Sequence, residues 1–250
     1  MSRKKSEKLG LRERTWKKFA WKTFLFHTWN SNDGYIKLMK DDRFTEQMWN
    51  SSPELEEPKY IAERIIKFLG SYGCHTPNSP AVVCGLVKAI ENTACYLREL
   101  AEYTIENVDF DREVKTQGGG ESKTVKDIVE HLYKKFDEIP RIGTTSTGKI
   151  MHVLQPKLFI MWDKGIRDNY SISENSIGYY RFLTRIKTRA KAIDSVFQGL
   201  YPDQRQTPAT YLSQKFNIDP HKTLTKFIDE YNWMTITKST TVPPPTWFPY

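Results

Sequence analysis

The chain has 250 residues, with 38 Lys+Arg against 30 Asp+Glu, a formal net charge of +8 and a pI near 9.2. Hydrophobic residues make up 38% and aromatic residues 13%, too many large apolar side chains for a disordered chain and too much interspersed charge for a membrane protein. No run approaches the roughly 18 apolar residues of a span, and the charged start is followed by more charge, not by a signal-peptide core; a cytoplasmic (nucleoid-associated) or nuclear protein, not a secreted one, is expected.

Residues 1–22 hold nine Lys/Arg against Glu7 and Glu13. Residues 1–14 read as a basic tail, and from Thr15 onward Trp16, Phe19, Ala20 and Phe24 recur at helical spacing and start a domain that runs to residue 240. Residues 58–69 predict a helix with Pro58 in its first turn, Ile61, Ile65, Phe68 and Leu69 on one stripe and Gly70 as its stop. Ser79-Pro80 opens a longer one, carried by Val83, Val87, Ile90, Ala94, Leu97 and Ala101 to about Asn107. Asp109 to Lys123, with Gly118-Gly119-Gly120, reads as a loop. Cys74, Cys84 and Cys95 have neither an even count nor CxxC spacing and read as reduced core thiols.

Thr124 and Asp127 form a capping-box pattern ahead of Val125, Ile128, Val129, Leu132 and Phe136, a helix ending near Pro140. A second helix begins at Thr144 or Thr145 with Ile150, Val153 and Leu154, and a third from about Ser176 points Arg181, Arg185 and Arg189 outward at i,i+4 spacing. Residues 207–233 suggest two shorter helices. Residues 241–250 form a Pro-rich tail, read as a strap that packs Trp247 and Phe248 on the body. The fold class is mainly α.

Residues 141–191 hold ten Lys/Arg against Asp163, Asp168 and Glu174, while everything after 191 sums to zero. A concentrated positive surface suits a polyanion, because Lys/Arg contacts to phosphates release counterions. Within this block Gly143-x4-Gly148-Lys149 imitates a phosphate loop. It lacks the preceding strand and the Ser/Thr that must follow the Lys to hold magnesium, since Ile150 stands there. Read instead as two helices joined by Pro140-Arg141-Ile142-Gly143, the segment offers a close-approach glycine and free helix N-terminal amides to an anion.

Ile139-Pro140-Arg141-Ile142-Gly143 and Trp162-Asp163-Lys164-Gly165-Ile166-Arg167 resemble the hairpin Leu-Pro-Gly-Val-Gly and the Val-Asp-x-x-Val-x-Arg-like segment of the helix-hairpin-helix DNA glycosylase superfamily, at matching separation. The resemblance covers roughly residues 124–170 and points to a divergent member of the endonuclease III and adenine glycosylase kind. It implies two α-helical subdomains with the active site in the cleft between them. It also implies a monomer that acts on double-stranded DNA containing an altered base, in base-excision repair or in defence against modified viral DNA, without metal or other cofactor.

Asp163 takes the catalytic role: a carboxylate beneath the sugar stabilises the positive charge that builds as the N-glycosidic bond breaks, and activates water. It is equally suited to cap its helix. Arg141, Ile142, Gly143, Thr144, Thr145, Lys149, Lys164, Arg167, Arg181, Arg185 and Arg189 are the expected DNA contacts. Trp29, Tyr35, Trp162 and Tyr179 are candidates for the pocket of a flipped base. Where strand-cleaving relatives carry the Schiff-base lysine this chain has Thr145, so the resemblance implies a monofunctional enzyme; Lys149 lies one turn further on. Two other readings stay open: a non-catalytic DNA-binding module, and a metal-dependent nuclease built on Asp109, Asp111, Glu113 and Lys115.

Overall fold

Apolar residues returning every three to four positions drive the chain into eleven α-helices among the described residues. The computed structural model describes residues 3–30, 33–49, 57–115, 122–246 and 248, with side chains from residue 12 onward except 47–49. The helices are α1 Arg3–Trp29, α2 Gly34–Met39, α3 Asp42–Trp49, α4 Pro58–Ser71, α5 Pro80–Glu99, α6 Val125–Asp137, α7 Thr144–Leu154, α8 Lys164–Tyr170, α9 Ser176–Leu200, α10 Pro208–Lys215 and α11 Leu224–Asn232. A π-helical turn, Trp233–Thr237, continues α11. The strands β1 Glu113–Val114 and β2 Lys123–Thr124 form one short antiparallel pair.

Side-chain oxygens begin several of these helices by accepting from otherwise unpaired first-turn amides. Thr124 and Asp127 make the full reciprocal capping box of α6, and Asn175 accepts from the Gly178 amide at 2.8 Å to start α9. The α5 helix ends at Glu99, short of the expected Asn107. Thr104 and Asn107 bond to each other's amides there (Thr104 N–H to Asn107 Oδ1, 2.8 Å), a local turn that competes with continued helix.

Two sets of helices share the core. The first packs α4 on α5, α5 on α6 and α6 on α7, with α2 and α3 against α4. The second packs α1 on α9 and α11, with α10 beside α9 and α11. The long α9 also lies along α6 and joins the two sets. The chain ends meet in the second set: Trp16 of α1 stacks near Phe197 of α9, and the C-terminal strap crosses α1. Trp21 Nε1 and Lys22 Nζ donate to the Val242 and Thr240 carbonyls, and Phe248 is buried against Trp21, Phe24 and Phe216.

Three expectations change. Residues 3–14, read as tail, belong to α1. The cysteines are free but not core: Cys84 is exposed, and Cys74 and Cys95 are half-buried. The segment read as a loop between Asp109 and Lys123 contains β1 and the first residue of β2. Gly118-Gly119-Gly120 and Trp247 lie outside the described residues. No helix among those described is long and apolar enough to cross a membrane.

His152 of α7 is a buried pH-sensitive point. Its Nδ1 lies 2.7 Å from the Phe159 carbonyl, Nε2 has no partner among the described residues, and burial drives its pKa down to about 3. The unfolded chain binds a proton near pH 6.5 that the fold refuses. His152's contribution to stability is therefore complete above that pH and is lost as pH falls toward 3. We expect urea unfolding at pH 5 to give a free energy ~2 kcal/mol below that at pH 7.5 through this residue. His152→Asn, whose amide can replace the Nδ1 donor, should flatten that slope.

Candidate active site

The segment after α6 turns within five residues. Arg141 holds φ at 71°, the left-handed region that favours glycine, at a cost of about 1 kcal/mol. Arg141 and Gly143 are exposed, and Thr144 and Thr145 are half-buried. Ile142, expected at a DNA contact, instead buries its side chain and anchors the turn. Gly143 precedes α7 with no side-chain cap, so the first-turn amides of this buried helix have no side-chain acceptor.

Gly148 faces the indole of Trp162: a Cβ there would sit 2.7 Å from Trp162 Cδ1. The indole Nε1 donates to the Thr144 carbonyl at 3.1 Å. The glycine that imitated a phosphate loop therefore makes room for the residue preceding Asp163. Lys149, expected at a phosphate, is instead buried and donates to the Tyr72 carbonyl and Cys74 Sγ, both at 3.2 Å.

Asp163 begins α8. Its Oδ1 accepts from the Ile166 amide at 2.8 Å and its Oδ2 from the Thr237 hydroxyl at 2.7 Å. Thr237 comes from the π-helical turn, which packs on α8 and widens the end of α11 enough to aim a hydroxyl at the carboxylate. Arg167, expected on DNA, is buried. Its guanidinium bonds Glu174 (2.9 Å) and Thr145 Oγ1 (3.0 Å) and lies over the Trp162 ring, tying α8 to α7.

A cleft of about 970 Å³ collects these parts. Gly143, Thr144, Thr145, Ser146 and Lys149 line it from α7, Trp162 and Asp163 from the chain entering α8, Trp29 from α1, and Asp229 and Trp233 from α11 and its extension. Of the expected base-pocket residues, Trp29 (55% exposed) opens on the cleft, whereas Trp162 reaches its wall but is buried under Arg167 and Phe182 and presents no free face. Tyr35 and Tyr179 do not reach it: both are fully buried, with hydroxyls donated to the His221 and Ile160 carbonyls. Phe26, Tyr72, His75, Asp229 and Trp233 also line it, and the sequence reading missed them. Family models, curated proteins and solved structures return no match to this chain.

The arginine stripe on α9 divides. Arg181 is exposed, Arg185 donates to the Tyr170 carbonyl, and Arg189 is half-buried on Tyr170 and Asn232 (2.7 and 2.5 Å). Arg189 therefore braces α8 and α11, not an outward ligand. Lys164 is exposed and paired with Asp168 at 2.6 Å. At the acidic segment of the nuclease reading, Asp109 accepts from the Asp111 amide, and no three His, Cys, Asp or Glu converge for a metal among the described residues.

Overpacking the Trp162 contact gives a direct test. Gly148→Ala should cost ~1–3 kcal/mol in urea unfolding, because the indole cannot yield without losing its bond to Thr144. Gly143→Ala, whose added Cβ meets nothing within 4 Å, should cost under about 1 kcal/mol.

Proposed function

We propose that the chain is a monofunctional DNA glycosylase that hydrolyses the N-glycosidic bond of an altered base turned out of duplex DNA. The observation that carries this reading is the meeting, in one cleft, of the uncapped α7 N-terminus and the Asp163 carboxylate. Amides at a helix start favour a phosphate, and the carboxylate beside them suits a sugar attached to it. The cleft is lined by residues of both helix sets, Ser146 and Lys149 from one and Trp29 and Asp229 from the other, which supports the two-subdomain arrangement that the resemblance implies.

In this reading the exposed turn at Arg141 and Gly143 and the amides of Thr144 and Thr145 hold the backbone near the target nucleotide. The extruded base enters between Trp29 and Trp233, apolar faces that replace the stacking it leaves. Asp163 is fixed through both oxygens, so its charge is aimed before the reaction begins, which is where electrostatic stabilisation of an oxocarbenium-like state is most effective. It also receives the proton of the attacking water. Thr145 offers no amine and is bonded to Arg167, which supports hydrolysis without strand cleavage.

A helix cap alone would be served by asparagine as well as by aspartate, and this separates the enzyme from a passive DNA-binding module. Duplexes carrying single altered bases, incubated with protein and then heated in alkali, should break at the base that is released. Asp163→Asn should reduce release by about 10³-fold or more while leaving the melting temperature and DNA affinity nearly unchanged. Wild-type activity in that variant would remove Asp163 from the chemistry. Borohydride should trap no protein-DNA adduct during turnover.

Phosphate contacts are read by salt. Arg181→Ala should lower the slope of log affinity against log salt by about 1. Arg189→Ala should instead lower thermal stability.

A further inference from the structure

The cleft contains a second carboxylate that the hydrolysis described so far does not use. Asp229, on α11, lines it together with Asp163 and Lys149, with its side chain 10% exposed. Lys226 Nζ donates to Oδ2 at 3.1 Å, and among the described residues no hydrogen bond reaches Oδ1. The carboxyl is thus anchored at one oxygen and open to the cavity at the other.

Its surroundings are fixed on every side. Lys226 and Glu230 are fully buried neighbours on α11, Lys149 faces it from α7, Tyr72 follows α4, and Tyr179 of α9 lies behind. Lys226 is shared further with Glu230 (3.4 Å), and Lys222 bridges Glu230 (2.5 Å) and Asp33 (3.5 Å). Burial pushes the Asp229 carboxyl up to about 6, against the pull of Lys226. Asp163, by contrast, accepts two hydrogen bonds as a carboxylate would. Two carboxyls in one cleft with environments this different suit opposite duties, one as acid and one as base.

We infer that Asp229 is the general acid of this cleft and protonates the departing base, a role that rests on the glycosylase reading above. As the C1′–N bond breaks, its electron pair stays with the base, and the Asp229 proton moves to a base nitrogen or carbonyl oxygen. Water forms the new C1′–O bond and gives a proton to Asp163; solvent then returns a proton to Asp229 and removes one from Asp163. The sum is one water added across the glycosidic bond. The substrate class that follows is a base that leaves poorly as an anion and presents a basic nitrogen or carbonyl oxygen toward α11.

The test uses the full chain and two duplex substrates: the best base found by the alkali assay, and its electron-withdrawing fluorinated analogue, which leaves readily without protonation. Asp229→Asn should slow release of the ordinary base ~100-fold or more, the usual scale of general-acid catalysis, and release of the fluorinated base less than ~5-fold. In wild type, kcat/KM for the ordinary base should fall about tenfold per pH unit above a pH near 6; in Asp229→Asn that limb should vanish. Equal slowing of both bases, or an alkaline limb that persists in the variant, overturns the assignment to Asp229 while Asp163-dependent release keeps the glycosylase reading intact. No release of any base by wild type overturns both. Should Asp229→Asn fail to fold, the wild-type profile decides alone: a kcat/KM that is flat or rising from pH 6 to 8 on the ordinary base excludes the acid.

Discussion

Lys226 carries its charge at a fully buried position, against the rings of Phe26, Tyr35 and Tyr72, and is matched by Asp229 and Glu230. Burial works against that charge, but Tyr72, Asp229, Glu230 and Asp33 outweigh it and hold the pKa well above the usual lysine range. With Lys222 and Asp33 the set bridges α11 and the start of α2, and Tyr72 extends it to the end of α4 by donating to Asp33 at 2.5 Å. Removing one member of such a network leaves a buried charge unpaired, at a cost of about 3–5 kcal/mol. Buried Leu224, Phe227 and Ile228 hold α11 in the core, and the paired charges tie the same position to Asp33 and Tyr72. The cleft depends on that position, because α11 brings Asp229 and leads directly into Trp233 and Thr237.

A second constraint acts from the opposite wall. Trp162 fits only because position 148 has no side chain, and it lies among Tyr133, Tyr179 and Phe182. Its neighbour Asp163 inherits a backbone locked by this aromatic cluster. Arg167 then secures the same helix from its outer side through Thr145 and Glu174. The carboxylate is consequently oriented by packing as well as by its own two hydrogen bonds, as a group must be if its charge is to meet a transition state without rearrangement. The price of the preceding turn is carried by Arg141 in a backbone conformation that glycine would adopt freely.

The positive charge of the chain divides between two settings. Arg181 and Arg141 are exposed, on the surface the proposed DNA would meet, whereas Arg167, Arg189 and Lys149 are drawn into bonds that hold the cleft's walls. Net charge along the sequence does not separate these settings. The stretch after residue 191, which sums to zero, contains the buried network on which α11 depends.

The helices of the central segment were legible because their signals are local. Thr124 with Asp127, the apolar period of residues 125–136, and the start of α7 and α9 all depend on neighbours within one or two turns. Local signals made Asp163 a helix cap, and its catalytic candidacy came only from the resemblance of the Ile139–Gly143 and Trp162–Arg167 segments to the helix-hairpin-helix glycosylases. What the sequence could not determine was which polar residues face inward: Lys222, Lys226, Asp229 and Glu230 look like an ordinary solvated surface, and nothing local separates a core aromatic such as Tyr35 or Tyr179 from one that opens on the cleft, such as Trp29. Only the packing of α11 on α1, with Asp33, Tyr35 and Tyr72 brought against its lysines, decides it, because a charge is tolerated inside when partners from distant segments arrive at bonding distance, and sequence separation carries no record of that meeting.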